Sequence, residues 1–418
     1  MRDISGYFDW AATTPVEQDI LEESTKIALE EYANPSSIHQ WGKTAREKLE
    51  KARMRSANVL GVPASTLYFT SGGTESNHIP IMSLLKKPLA ASIAVSEIEH
   101  PAVREMAECL KSLGWKIIPI KSDRRGLVSP EAVRGAVEPD TALVCVMAVN
   151  NETGAVQPVC RIAETLTIGA RGKKRPRFHV DCVQAAGKIP FDLAFPGIDS
   201  AAFSAHKIGG PRGIGLLYLA KPVEPFARGG GQEGGIRSGT ENLAGAWAFS
   251  RCLERFYLGK NAEQDNSAAW NRYLCQQEYT RQFIKALGTL KSCMIIPQTR
   301  AMFPQERQAQ ILFPEYSPWI VQVSFASIPG EVMVRALDDL GFAISTGSAC
   351  SLHGGAAKKG RSILAAMGVD AGTAQNAVRF SFGSGTTKEG MDALFEAIKS
   401  ITDKYSSAGP ARYTQSAG

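Results

Sequence analysis

Candidate strands recur along the first half of this chain, at residues 91–96, 116–120, 142–149, 177–181, 199–203 and 214–219, with helical patterns between several of them. That alternation constrains the fold more than any other feature. A strand that is apolar throughout has both faces buried, and strands separated by helices pair most readily in parallel. The expectation is a largely parallel sheet with helices on both faces. Ahead of these runs, residues 16–33 read as a helix stopped by Asn34-Pro35-Ser36-Ser37. A charged amphipathic helix follows over 43–60 and ends at Gly61. Then come a strand at 66–70, the turn Ser71-Gly72-Gly73 and a helix from Thr74.

The pattern changes after about residue 240. Residues 241–290 read as mostly helical and polar, with AEQDNSAAWN as an irregular or exposed patch. Residues 292–325 read as strand-like with a long loop at 301–318. A short helix at 330–341, a strand at 377–382 and a closing helix at 388–404 complete a smaller α+β domain. A chain of 418 residues exceeds what one core usually holds. The expected division is a large domain at 16–255, a small domain made of 1–15 with 256–405, and a mobile tail at 406–418. No internal repeat is visible.

Composition narrows the function classes. The net charge of +6, from 47 basic and 41 acidic residues, is too mild to point to nucleic acid. The densest basic run, Arg171 to Arg177, reads as a solvated loop before a strand. The eight cysteines include no CxxC pair, which predicts neither a zinc site nor a disulfide framework and fits a reducing compartment. No signal peptide, transit peptide or membrane span is legible, so a cytoplasmic protein is expected.

Several segments carry candidate chemistry. FSAHKIGGPRGIG places Ser204, His206 and Lys207 just before a glycine-rich turn. Lys207 is either a solvated lysine or a Schiff-base lysine beside a phosphate cup. Gly73 and Thr74, between a strand and a helix, offer free N–H groups to an anion, or they form a plain capped turn. Ser204, His206 and Thr240 add donors that favour the phosphate. Asp181 ends the strand FHVD, where a carboxylate can hold a ring nitrogen protonated or simply cap a turn. Gln184 is placed to meet a ring oxygen. His100 is a structural residue or one that stacks on a ring and moves protons. Arg379, inside the apolar VRFSFG, needs an anionic partner: a substrate carboxylate or an internal acid. Cys350 sits among Ser345, Thr346, Gly347, Ser348 and Ala349, small polar neighbours that suit a mobile nucleophile. An acid for a pyridinium, a lysine for an imine and a thiol are the parts of pyridoxal-phosphate sulfur chemistry.

These segments, with YFDWAATTP, NPSSIH, VNNETGAVQP, RSGTEN and AAMGV, follow one another from Tyr7 to Gly383 in the order of a known family. The chain resembles the cysteine desulfurases of the NifS/IscS type, within the class V branch of fold-type I pyridoxal-phosphate enzymes. The resemblance implies a fold-type I α/β architecture, with a mostly parallel seven-stranded sheet in the large domain. It implies pyridoxal 5'-phosphate held on Lys207, its phosphate by Gly73, Thr74, Ser204 and His206, and by Thr240 of the partner subunit in a homodimer. Asp181 would face the ring nitrogen, Gln184 the ring oxygen and His100 the ring face. Asn151 would lie near cofactor and substrate, and Arg379 would take the carboxylate of L-cysteine. Cys350 would receive the sulfur as a persulfide, leaving L-alanine. The implied partners are a sulfur-acceptor protein such as an iron–sulfur scaffold or a tRNA-thiolation protein, with no metal, no direct nucleic acid and no membrane.

Departures from the family pattern touch partners more than chemistry. Gly234 stands where arginine is common, SPWIVQVSF replaces the usual strand, and 256–275 and 301–318 are atypical. The long loop after Cys350 is similar to the branch with a mobile cysteine loop. Competing readings are a selenocysteine lyase or another class V enzyme such as an aminotransferase, and a catalytically weak binding partner. A simple transaminase needs no thiol at Cys350, and a scaffold needs none of Lys207, Asp181 and His100.

Overall fold

The computed structural model describes residues 3–87, 89–169, 175–265, 267–302, 314–347 and 362–407. Seven strands form one sheet: β1 (Leu67–Thr70), β2 (Ser92–Ser96), β3 (Lys116–Ile120), β4 (Thr141–Cys145), β5 (Arg177–Asp181), β6 (Ser200–Ser204) and β7 (Gly215–Leu219), in the order β1-β7-β6-β5-β4-β2-β3. Every pair from β6 across to β3 is parallel. β7 is antiparallel to both β1 and β6. The physical reason is the connection from Ser204 to Gly215, which is too short to cross over the sheet. That tight connection carries His206 and Lys207.

The expected strands are present with one shortening. The run at 142–149 is regular strand only as far as Cys145, while Val146 and Ala148 still donate to His179 and Asp181 of β5 on the way to the loop that carries Asn151. β4, β6 and β7 are buried at every position, as their unbroken apolar runs require. β3 is one of the two edge strands, half exposed and with Pro119 inside it, where a missing N–H costs little. Helices α1 (Gln18–Glu30), α2 (Gln40–Leu60), α3 (Gly73–Met82), α4 (Pro101–Ser112), α5 (Pro130–Ala136), α6 (Val159–Gly169) and α7 (Leu243–Phe256) accompany this sheet. Their starts follow ordinary capping chemistry. His39 caps α2, and Ser129 with Pro130 behind it caps α5.

The patch AEQDNSAAWN departs from expectation. It forms the single turn α8 (Ala262–Asp265) and the start of α9 (Ala268–Leu287), with Ala262 and Trp270 buried. A second sheet, β8 (Cys293–Ile296), β9 (Ile320–Phe325) and β10 (Ala377–Ser381), is antiparallel in the order β10-β9-β8. Around it lie α10 (Gly330–Asp338), α11 (Ser362–Ala366), α12 (Ala371–Gln375) and α13 (Lys388–Ser407). Its core joins Phe283 and Leu287 of α9, Phe325, Phe380 and Phe382, Leu394 and Ile398 of α13, and Phe8 from the start of the chain. The N-terminal segment therefore packs with the second core before the chain enters the first.

A buried ion pair anchors the glycine-rich loop that follows β7. Arg53 of α2 gives two hydrogen bonds to Glu233, at 2.7 and 2.8 Å, and the side chain of Glu233 is 1% exposed. Glu233 also accepts from the N–H of Phe69 at 2.8 Å, and holds a left-handed φ of 49° to do so. Removing one member of such a pair strands the other charge in low dielectric. Glu233→Ala should therefore lower unfolding stability by about 3–5 kcal/mol. Urea denaturation of the variant beside the parent measures it, and a loss under about 1 kcal/mol would place the pair in effective contact with water.

Candidate active site

The parallel strands deliver their loops to one edge of the sheet. β5 ends at Asp181, β6 at Ser204, β2 leads to His100 and β4 to Asn151. In open α/β sheets this carboxyl edge is where ligands bind. The N-terminal segment crosses it and hydrogen-bonds Lys207, Gln184, His206 and Arg379.

Lys207 directs Nζ to the carbonyls of Ala11 and Ala12, at 2.5 and 2.7 Å. The same Ala11 carbonyl accepts from Gln184 Nε2 at 2.9 Å. His206 shares a hydrogen bond with Thr13 at 3.2 Å, and its carbonyl accepts from Thr14. Two residues before Ala11, Asp9 pairs with Arg379 at 2.8 Å. The guanidinium also donates to the carbonyl of Asn151 at 2.9 Å. Arg379 thus has the internal acid the sequence left open. It retains a buried Nε with no partner among the described residues, so the fork is not saturated.

Asp181 sits on a built mount. One oxygen accepts from the N–H of Val183 at 2.9 Å, the other from Asn77 Nδ2 at 2.8 Å. Asn77 in turn meets His179 Nε2 at 2.8 Å, and His179 Nδ1 meets Ser200 at 2.9 Å. Complete burial pushes the imidazole of His179 down to about 3, so it is neutral. A neutral ring with one donor and one acceptor fits this chain when Nε2 donates to Asn77 and Nδ1 accepts from Ser200. Asn77 and His179 were not legible as site residues. Asn77 lies one turn into α3, and only the crossing of that helix over β5 brings it to Asp181.

His100 caps α4: its Nδ1 accepts from the N–H of Ala102 at 3.1 Å. Burial pushes its pKa down, and the cation of Lys207 adds to that against the pull of Asp181. With Nδ1 occupied as an acceptor, the neutral ring carries its proton on Nε2. His100 therefore offers a donor at Nε2. Its neighbour Glu99 is fully buried, and burial followed by the charge of Asp181 raises its carboxyl to about 8.

At the start of α3, a Cβ on Gly73 would stand 2.7 Å from Val183, so only glycine lets this turn approach the loop after Asp181. Ser204 Oγ and Asn151 Oδ1 are buried without a partner among the described residues. Burial pushes His206 down to about 4, with the cations of Lys207, Lys188 and Arg212 adding to the effect, so it is neutral. Thr74 is exposed at this turn. Thr240 is exposed on the loop after Glu233 and forms no recorded hydrogen bond to this cluster. Cys350 and His353 lie outside the described residues. The last described residues before Cys350 start beside Arg379, because Ser345 exchanges backbone hydrogen bonds with it.

A family model for the class V aminotransferases matches residues 6–394. The chain belongs to the class V aminotransferase family. It is 35% identical over 407 residues to a NifS/IcsS protein homolog of Lactobacillus delbrueckii subsp. bulgaricus, covering 96% of this chain and 98% of that one. It is 32% identical to a protein of Dictyoglomus turgidum named cysteine desulfurase IscS, covering 97% and 96%. A solved structure described as a NifS-like protein shares the fold with a TM-score of 0.80 and 34% identity, over 95% of this chain and 99% of that one. Class V aminotransferases are pyridoxal-phosphate enzymes, and the fold is the fold-type I α/β architecture. The cluster suits such a group: an acid on a fixed mount, a lysine, a glycine-lined helix start, and buried polar atoms of Ser204, Asn151 and Arg379 with hydrogen bonds still to make.

The mount of Asp181 is testable without any ligand. Asn77→Ala leaves an oxygen of Asp181 and Nε2 of His179 buried without partners, and should cost about 1–3 kcal/mol of unfolding stability. Asn77→Asp should cost more, because it sets a second carboxylate against Asp181. Paired urea melts check both the loss and its order.

Proposed function

We propose that this protein is a pyridoxal-phosphate-dependent cysteine desulfurase. It converts L-cysteine to L-alanine and takes the sulfur onto Cys350 as a persulfide, from which an acceptor protein receives it. The observation that carries the reading is the spacing of two groups along one short segment. Lys207 Nζ rests on Ala11 and Ala12, and Arg379 rests on Asp9. A reactive amine and a carboxylate-binding fork are thus held close together, as an α-amino acid substrate requires. The desulfurase names carried by relatives over nearly the whole chain support the same conclusion.

The cofactor, when bound, supplies an electron sink for charge developing at the substrate α-carbon. The protein's own groups do the rest. Lys207 holds the cofactor and moves the α-proton at Nζ. Asp181, fixed by Asn77 and Val183, receives the protonated ring nitrogen. Gly73, Thr74, Ser204 and His206 hold the phosphate, with Thr240 of the partner subunit completing it in a homodimer. His100 would lie against the ring with its Nε2 proton free to donate, and Gln184 would donate to the ring oxygen. Asn151 and Arg379 orient the substrate, the guanidinium through the N–H groups that Asp9 and Asn151 leave open. Cys350 brings its thiol to the substrate sulfur.

The domain limits we propose are 16–255 for cofactor binding and 1–15 with 256–405 for the part that carries the cysteine loop. The cytoplasm is the proposed compartment. It accords with seven free cysteines among the described residues, where no helix is long and apolar enough to cross a membrane. The acceptor is proposed to be an iron–sulfur scaffold or a tRNA-thiolation protein.

Two experiments test the proposal. Cys350→Ala should bind pyridoxal phosphate, change its absorption when cysteine is added, and release sulfide at least about 1,000-fold more slowly than the parent. Normal sulfide release in that variant would move the nucleophile elsewhere. Sedimentation of the active protein should give about twice the 45.0 kDa mass of one chain, and an active monomer would remove the shared site.

A further inference from the structure

Lys188 is 5% exposed and sits on the turn that follows β5. Its Nζ donates to Gln184 Oε1 at 2.5 Å, and its carbonyl accepts from Trp319 Nε1 at 2.5 Å. The charges acting on it, Lys207 and Arg379, are both cations. Burial first, and those cations second, press its pKa well below that of a free lysine. A methionine would fill the same space without this cost. It would lack only the N–H aimed at Gln184.

That N–H decides how the amide of Gln184 lies. Lys188 Nζ carries N–H donors whether charged or neutral, and Gln184 Oε1 receives one of them. The Ala11 carbonyl only accepts, so the side facing Ala11 is the nitrogen. The Ala11 carbonyl has no proton to give and so rules out the flipped amide, and the Lys188 N–H holds the oxygen end in place. Two anchors leave one Nε2–H uncommitted among the described bonds of Gln184. The same Ala11 carbonyl receives Lys207 Nζ, so Lys188, Gln184, Ala11 and Lys207 form one connected set.

We propose that Lys188 is a positioning residue for the cofactor: by holding Gln184 Oε1, it aims the remaining Nε2–H at the phenolic oxygen of the pyridoxal ring. The inference rests on the desulfurase reading and extends it to a residue that does not itself touch the ring. Lys188 acts through Gln184, and the two substitutions are therefore coupled.

The experiment is a double-mutant cycle on the full-length protein, read by the visible absorption maximum of bound pyridoxal phosphate and by its dissociation constant. Lys188→Met should shift the maximum and weaken binding about threefold to tenfold, the span of one neutral hydrogen bond. Lys188→Gln keeps a donor at the position and should fall closer to the parent in both readouts. In a Gln184→Ala background, adding Lys188→Met should change neither readout further. A parent-like maximum and affinity in Lys188→Met would overturn the inference while leaving the desulfurase reading intact. So would additive effects in the double variant, which would mark Lys188 as a packing residue only. A parent protein that takes up no pyridoxal phosphate would overturn both.

Discussion

The site depends on the N-terminal segment from Tyr7 to Thr14, which joins the two cores by hydrogen bonds directly at Lys207 and Arg379. On one side Phe8 fills the second core, and the N–H of Ala11 donates to Ser381 of β10 at 2.9 Å. On the other, the carbonyls of Ala11 and Ala12 receive Lys207, and Thr13 and Thr14 hold the turn around His206. Asp9 completes the link by fixing Arg379. A short segment that turns at Trp10–Ala12 serves this purpose because its carbonyls, unlike those of a helix or sheet interior, are free to accept from side chains. Lys207 follows β6 of the first sheet and Arg379 lies in β10 of the second, and this strap holds both.

Burial supplies the second constraint. It turns charged groups neutral wherever no partner offsets the loss of water. His179 and His206 lose their protons, and the thiols of Cys145 and Cys182 are pushed well up, which leaves them inert. Arg300 is buried, and its Nη1 and Nη2 donate to the carbonyls of Thr153, Ile320 and Ser317, so hydrogen bonds from this side chain also tie the two parts together. Against this background the carboxylate of Asp181, with two donors of its own, is the group prepared to hold a cation.

Much of this was legible beforehand, and the reasons differ by residue. The strands at 177–181 and 116–120 could be read to the residue, because each has a short apolar stretch, Phe178 and Val180 in one and Ile117, Ile118 and Ile120 in the other, bounded by charged or turn residues. Lys207, Asp181 and Gly73 stood out because each breaks its local pattern: a cation, an acid and a glycine at the ends of apolar strands. Asn77, Lys188 and Asp9 gave no such signal. Each is an ordinary polar residue in its own stretch, and its partner is distant in the chain: Asp181 for Asn77 and Arg379 for Asp9. Lys188 is the instructive exception, since its partner Gln184 is only four residues away, yet a lysine at that spacing reads as solvated until Trp319 and the N-terminal segment bury it.

Sequence alone therefore determined the class of fold, the order of the strands along the chain, the family and the candidate chemistry. All of these follow from local patterns of apolar, glycine and charged residues. Tertiary structure decided which of those groups meet. It set the antiparallel return of β7, which places Lys207 in a tight turn, and the seating of Arg379 on Asp9. It also fixed the neutral state of the histidines and the orientation of the Gln184 amide. Those outcomes depend on hydrogen bonds between residues far apart in the chain and on the removal of water from around them, and neither is encoded in any single stretch of sequence.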